Sequence, residues 1–155
     1  MSSDSLIRVR PARPTEAAEL TALVLRSKRH WGYDEAFMAA VRAELTVTPG
    51  QLVPGRALVA DRDGVLLGFG RLAGTAPEGE LEMLFVEPTV IGQGVGKRLY
   101  HQLLELARSA GFTSLTIDAD PNAADFYTAQ GAVRTGETPS GSIPGRMLPL
   151  LTVRL

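Results

Sequence analysis

At 155 residues the chain has the length of one ordinary domain, and residues 1–155 read as a single unit able to enclose a sizeable core. It is 45% hydrophobic and 21% charged, and 16 Lys plus Arg against 17 Asp plus Glu leave a formal charge of −1; no broad basic field favours nucleic acid or an anionic membrane. The absence of cysteine excludes disulfides, thiolate metal sites and a cysteine nucleophile.

Met1-Ser2-Ser3-Asp4-Ser5 lacks the basic-then-apolar order of a signal peptide. No run approaches the roughly 20 apolar residues that span a bilayer, so a cytoplasmic protein is expected. No internal repeat or low-complexity block divides the chain.

Residues 6–10 alternate apolar and charged side chains and read as a first strand, stopped by Pro11 and Pro14. Thr15 is a plausible N-cap for a helix running to about Ser27, with Ala17, Leu20, Leu23 and Val24 on one face. His30, Trp31, Gly32 and Tyr33 interrupt the pattern. A second helix is expected from Asp34, with Phe37, Met38, Val41 and Leu45 at helical spacing. Residues 57–61 and 65–72 are apolar runs joined by Arg62-Asp63-Gly64, a hairpin signature, and residues 81–86 form a further strand ended before Pro88.

Residues 94–110 then carry a helical stripe of Leu99, Leu103, Leu106, Ala107 and Ala110, with Gly111 as its stop. The alternation over residues 114–119 is again a strand. Strand, helix and strand within this length make a βαβ unit with two parallel strands. Residues 123–130 read as a short helix ended by Gly131, and residues 147–155 as a last strand, placed at a sheet edge or bulge by Pro149.

The most informative segment is Ile91-Gly92-Gln93-Gly94-Val95-Gly96-Lys97, where a strand gives way to a helix. Glycines there let backbone amides turn toward a ligand, and a helix start adds free N–H donors suited to a pyrophosphate. Lys97 either adds a point charge or lies in solvent. The spacing fits neither GxxxxGK[ST] nor GxGxxG. By itself the segment also reads as a glycine-rich turn without a ligand.

Its surroundings add more. Glu80-Leu81 through Val86, then Gly94-Val95-Gly96, then Asn122 with Ala124, Phe126-Tyr127 and Gly131 resemble, in order and spacing, the GNAT superfamily of N-acetyltransferases, small bacterial type. The first strand and helix fit the same pattern, so the resemblance covers nearly the whole chain. It departs at Ile91, where the family usually has Gln or Arg; Gln93 or Lys97 are candidates to replace that contact.

The resemblance implies an α/β fold with a mixed central sheet of about six to seven strands flanked by about four helices. It implies acetyl-CoA as cofactor and a small-molecule or protein amine as acceptor, with direct transfer in a ternary complex, no metal, and no nucleic-acid or membrane partner. Similar domains often pair into homodimers. Tyr127 is implied as the acid that protonates the leaving thiolate; a phenol of pKa about 10 stays protonated at pH 7. Its other reading is a core tyrosine beside Phe126. Glu80 or Glu82 is implied as the base or as a binder of a cationic substrate, Glu80 being equally a solvated strand end. In a regular strand Glu80, Glu82, Leu84 and Val86 share one face.

Main-chain groups at Leu84, Phe85 and Val86 are implied to hold the pantetheine arm, with Ile91, Gly92, Gln93, Gly94, Val95, Gly96 and Lys97 around the pyrophosphate. Asn122 either contacts the cofactor or caps its helix. His30, Trp31 and Tyr33 lie where the family shapes its acceptor cleft, although a lone Trp is more often packed under helices. Residues 139–146 form a turn-rich loop whose Ser and Arg could meet an acidic substrate group or simply connect a hairpin. Two other classes remain: a non-catalytic acyl-CoA-binding regulatory module on the same fold, and a different phosphate-binding enzyme.

Overall fold

The computed structural model describes residues 6–155; residues 1–5, read above for a signal peptide, lie outside the described residues. The elements follow in chain order as β1 (Arg8–Pro11), α1 (Ala17–Arg29), α2 (Glu35–Leu45), β2 (Ala57–Arg62), β3 (Val65–Thr75), β4 (Glu78–Val86), α3 (Val95–Ser109), β5 (Ser114–Asp118), α4 (Ala124–Ala129), β6 (Val133–Pro139) and β7 (Met147–Arg154). The strands form one seven-stranded sheet in the order β1-β2-β3-β4-β5-β7-β6. Only β4 and β5 pair in parallel; every other pair is antiparallel. The expected mixed sheet and four α-helices are present among the described residues.

Two apolar layers sandwich the sheet. Val95, Leu99, Leu103 and Ala107 of α3 pack with Leu72, Leu81, Leu115 and Ile117 on one face. Leu20, Leu23 and Val24 of α1 and Val41 and Leu45 of α2 pack with Val59, Phe69 and Met83 on the other. Alternate residues of β3 serve the two layers, as strand pleating requires. On the α3 face the alternation places glycine: a Cβ at Gly70 would stand 2.3 Å from Leu103 Cδ1 and 3.3 Å from Met83 O. The missing side chains of Gly68 and Gly70 therefore let α3 lie close on β3.

The helix starts differ from expectation at one point. Residues Pro14–Glu16 form a 3-10 turn, so Glu16 rather than Thr15 flanks α1. Glu16 is held by the Arg10 guanidinium at 2.8 and 3.1 Å and accepts from Arg13 N at 2.8 Å, which fixes the turn. Asp34 caps α2 as expected, accepting from Phe37 N at 2.8 Å.

The C-terminal strands bring two corrections. β6 carries no apolar alternation and was not legible; Val133 at its start is 63% exposed, as suits an edge strand with one wet face. Because β6 takes the edge, β7 is interior, which removes the edge placement drawn from Pro149; the alternative, a bulge, lies close by, where the β6–β7 register shifts between Arg134 and Gly136 opposite Leu151 and Leu150. The proline is tolerated at the end of the β5 ladder, where its carbonyl still accepts from Ala119 N at 3.0 Å and only a terminal donor is missing.

Asp61 is an ionisable group with no exposed side-chain surface. Arg8 on β1 reaches it at 3.2 Å and Arg10 at 2.7 Å, so the first strand is pinned to the second by charge as well as by its ladder. Burial alone would raise the Asp61 carboxyl, yet hydrogen bonds from Arg8 and Arg10 together outweigh it and hold the group below its usual value. A depressed carboxylate contributes stability above its unfolded pKa of about 4, and the contribution fades as pH falls through the folded value. Asp61→Asn is expected to lower unfolding free energy at pH 7 by about 2–3 kcal/mol, and by much less at pH 3, in urea titrations. Gly70→Val is expected to cost about 2–4 kcal/mol at either pH, because Leu103 has no room to yield.

Candidate functional site

Parallel pairing between β4 and β5 covers only Glu78↔Ser114, Gly79↔Leu115 and Glu80↔Thr116. Beyond Glu80 the strands part. On its other side β4 stays paired with β3, but Leu72 faces Leu81 while Arg71 faces Met83, which leaves Glu82 as an extra residue. This β-bulge changes the facing of the strand. Leu81, Leu84 and Val86 belong to the α3 layer, whereas Met83 and Phe85 belong to the α1/α2 layer. The regular alternation, with Glu80, Glu82, Leu84 and Val86 on one face, is thus corrected. Glu80, next to Leu81, faces α1 and α2.

A cavity of about 720 Å³ fills the opening. One wall is the freed edge of β4, where Leu84, Phe85 and Val86 line the space with no β5 residue paired to them. At its end a 3-10 turn, Pro88–Val90, leads into the glycine loop. Gly92 and Gly94 have φ of +88° and +84°, a region that favours glycine, and a Cβ at either would meet nothing within 4 Å. Gly94 flanks α3, whose first intrahelical bond runs from Arg98 N to Gly94 O at 3.0 Å. The amides of Val95, Gly96 and Lys97 therefore have no partner inside the helix. All three residues line the cavity, with Ile91, Gly92 and Gly94. Gly96 also has a packing role: a Cβ would stand 3.3 Å from Val86 Cγ2 and 3.7 Å from Phe126 Cζ.

The opposite wall is α4. Tyr127, 6% exposed, lines the cavity within an aromatic group: Phe126 lies 5.4 Å away between ring centroids and Tyr100 5.9 Å. Burial, with smaller contributions from Tyr100 and Asp120, pushes the Tyr127 hydroxyl well above its usual value and keeps it protonated. Asn122 lines the cavity just before α4. Its side chain is engaged with Tyr33 Oη at 3.1 Å and Asp120 Oδ1 at 2.9 Å.

Sequence reasoning missed the interlock to which Asn122 belongs. Asp120 accepts from Lys28 Nζ at 2.6 Å, from Tyr33 Oη at 2.9 Å and from Asn122 N at 2.8 Å, while Arg146 donates to Tyr33 Oη at 2.8 Å. Arg146 and Lys28 also lie within 5.3 Å of the Tyr33 ring centroid, and that ring stacks on Phe37 at 3.9 Å. Four distant segments are thereby tied together: α1, the α1–α2 connection, the approach to α4, and the β6–β7 loop. Burial would raise Asp120, but Lys28 and the hydrogen bonds hold it below its usual value. A carboxylate closing a parallel strand is a legible signal; its partners, far off in sequence, are not.

Most expected residues meet in this one space. Glu80, Glu82, Leu84, Phe85, Val86, Ile91, Gly92, Gly94, Val95, Gly96, Lys97, Asn122, Tyr127 and Trp31 all line it. Gln93, His30 and Tyr33 do not. Gln93 is exposed on the outer side of the loop, which leaves Lys97 as the polar side chain closest in role to the absent Gln or Arg at Ile91. His30 is exposed and meets Trp31 edge-on at 5.3 Å. Tyr33 is a structural post, its hydroxyl already spent. Trp31, 43% exposed, stands at the cavity rather than under the helices. Arg146 lines the cavity with Nη2 donating to Tyr33 Oη, a contact that fixes where its guanidinium stands.

The two candidate carboxylates differ. Glu82 is paired with Arg71 at 2.5 Å. Glu80 has no such partner, and burial, then the charges of Asp118 and Glu82, raise its carboxyl above the usual value. Asp118 and Glu44, also on the cavity wall, were not singled out in the sequence.

Comparison with known proteins is consistent with this geometry. The family model for the acetyltransferase (GNAT) family matches residues 18–132. The peptidyl-lysine N-acetyltransferase YjaB of Salmonella typhimurium is 31% identical over 151 residues, covering 96% of this chain and 97% of its own. Among solved structures, a GCN5-related N-acetyltransferase from Rhodopseudomonas palustris superposes with a TM-score of 0.79 at 30% identity, covering 97% of both chains. The PaiA N-acetyltransferase of Thermoplasma acidophilum, solved in complex with coenzyme A, has a TM-score of 0.78 at 17% identity and covers 97% of this chain and 99% of its own; at that identity the likeness is one of fold. Family match and full-length relatives together place the chain in the GNAT family of acetyltransferases.

Proposed function

We propose that this chain transfers the acetyl group of acetyl-CoA to an amine by direct attack within a ternary complex. One observation carries the reading: the free amides at the start of α3, the open edge of β4, Tyr127 and Glu80 all border a single cavity. Bound acetyl-CoA supplies the activated acyl group as a thioester. The coenzyme A complex of the PaiA protein and the family membership support that choice of donor.

The residues present fit such a group. Main-chain donors and acceptors of Leu84, Phe85 and Val86, unpaired on the β5 side, are available to an extended amide-bearing arm in the manner of an added strand. The amides of Val95, Gly96 and Lys97 and the positive end of α3 suit a pyrophosphate, and the open space over Gly92 and Gly94 lets its oxygens approach. Lys97 adds charge at the same end.

Glu80 receives the proton that leaves the attacking nitrogen, directly or through a water, and its raised pKa makes it a stronger base than an ordinary carboxylate. Tyr127 donates its hydroxyl proton to the departing sulfur. The nitrogen–acyl bond forms as the carbon–sulfur bond breaks; solvent then restores the tyrosine proton and removes the one on Glu80. Glu82, tied to Arg71, holds the bulge and adds negative potential rather than acting as the base. A non-catalytic acyl-CoA-binding module on the same fold would leave both groups without a task.

Tyr127→Phe is expected to lower kcat by about 10²-fold with little change in the acetyl-CoA KM, followed by thiol release; equal rates in the two proteins would remove the acid role. Glu80→Gln is expected to lower kcat/KM by a similar factor and to abolish its dependence on the Glu80 ionisation. In the wild type that dependence raises the rate as pH climbs through the group's elevated pKa, because only the carboxylate accepts a proton. Gly94→Val should weaken coenzyme A binding about tenfold, read from the ligand-induced rise in Tm, since valine is strained at φ +84°.

A further inference from the structure

The cavity is asymmetric in charge. Toward α3 and α4 its wall is the glycine loop, Lys97, Asn122 and apolar side chains, but toward α1 and α2 it carries Glu44, Glu80, Glu82 and Asp118. Asp118, alternating with Ile117 of the α3 layer, faces the same side as Glu80. Of the four, only Glu82 is balanced, by Arg71. Lys28 and Arg146, the cations lining this end, both stand by Asp120, at 2.6 and 4.0 Å, and are not paired with these four carboxylates. Glu44, Glu80 and Asp118 make no ion pair among the described residues. Burial raises both Glu80 and Asp118 above their usual values; the carboxylates around them, Glu44 among them in each case, push the same way. Three carboxylates that face one space without a direct ion-pair partner repel one another; Arg71, the cation whose charge acts on Glu80, offsets this only in part, and a bound cation relieves the rest.

Two further features shape what such a cation must look like. Val41, Leu45 and Met83 of the α1/α2 layer line the same cavity and are apolar, which suits a methylene spacer. Ser27, 8% exposed, also lines the cavity, and its side chain makes no hydrogen bond among the described residues, so an ammonium can use it. The end of the space is bounded by the β6–β7 loop: Ser142 donates to the Glu44 carboxylate and Arg146 is anchored on Tyr33. A short acceptor fits this slot better than a folded chain.

We propose that the acceptor is a short aliphatic diamine. One nitrogen, neutral beside Glu80, reacts as described above, while the second stays protonated and is held by Glu44 and Asp118. The proposal rests on the acetyl-transfer reading, and the test separates the two. With acetyl-CoA in excess, thiol release is measured for 1,4-diaminobutane, 1-aminobutane and a lysine-containing peptide. The diamine is expected to show a kcat/KM about tenfold or more above the monoamine, with the gap narrowing as salt rises. Asp118→Asn and Glu44→Gln should each raise the diamine KM about tenfold with a smaller effect on kcat, shrinking that preference. Equal turnover of the two amines, or turnover confined to the peptide, would overturn the diamine while leaving acetyl transfer intact. Calorimetric titration of both amines into the coenzyme A-loaded protein needs no turnover. Selective diamine binding without thiol release would keep the acidic pocket and sink the transferase reading; equal binding would sink the pocket.

Discussion

The site depends on one irregularity in the sheet: the extra residue at Glu82 together with the end of β4–β5 pairing after Glu80. A parallel pair that continued to the ends of both strands would satisfy every main-chain group on that edge and leave no opening. Because the pair stops, one stretch of β4 keeps its ladder to β3 and offers its other edge to a ligand. The bulge also rotates the strand, so that Leu81 and Leu84 join the α3 layer while Met83 and Phe85 join the other. A cavity that reaches both faces of the sheet follows from these two facts.

What surrounds the opening is held by unusual devices. α3 lies close on β3 because Gly68 and Gly70 have no side chains to hold it off, and this brings its first turn to the end of β4. On the far side polar contacts add to the packing: Asp120 collects Lys28, Tyr33 and Asn122, and Arg146 reaches the same phenol. A buried ion pair is a weak source of stability but a strong source of geometry, since any other arrangement leaves a desolvated charge unmatched. The same reasoning applies to Asp61, which fixes β1 against β2 at the opposite end of the sheet.

The electrostatics divide the cavity between two kinds of ligand. The α3 end offers amides, a helix start and Lys97, all suited to anions. The α2 end offers Glu44, Glu80 and Asp118, carboxylates with no ion pair among the described residues. A donor rich in phosphate and an acceptor rich in ammonium would each find one favourable end, and charge alone would discourage the reversed arrangement.

Much of this was legible in the amino-acid order. Helical stripes, the hairpin at Arg62-Asp63-Gly64, the βαβ unit and the glycine loop are local patterns, set by pleat and helix periods and by residues within a few positions of one another. The order of these motifs was enough to suggest the family; Tyr127 and Glu80 were named from that resemblance, and with the loop they border the cavity. β6 was missed because a polar edge strand has no apolar alternation to read, and with that neighbour invisible the choice between edge and bulge at Pro149 stayed open; β7 is interior and the irregularity lies in its pairing with β6. The rest was decided only in three dimensions. The bulge at Glu82 depends on how β4 registers with β3, and the pairing of Glu82 with Arg71 follows from it. The interlock at Asp120 joins residues up to 113 positions apart. Whether a carboxylate is free, like Glu80, or spent, like Glu82, depends on which distant side chains packing brings beside it, and periodicity carries no record of that.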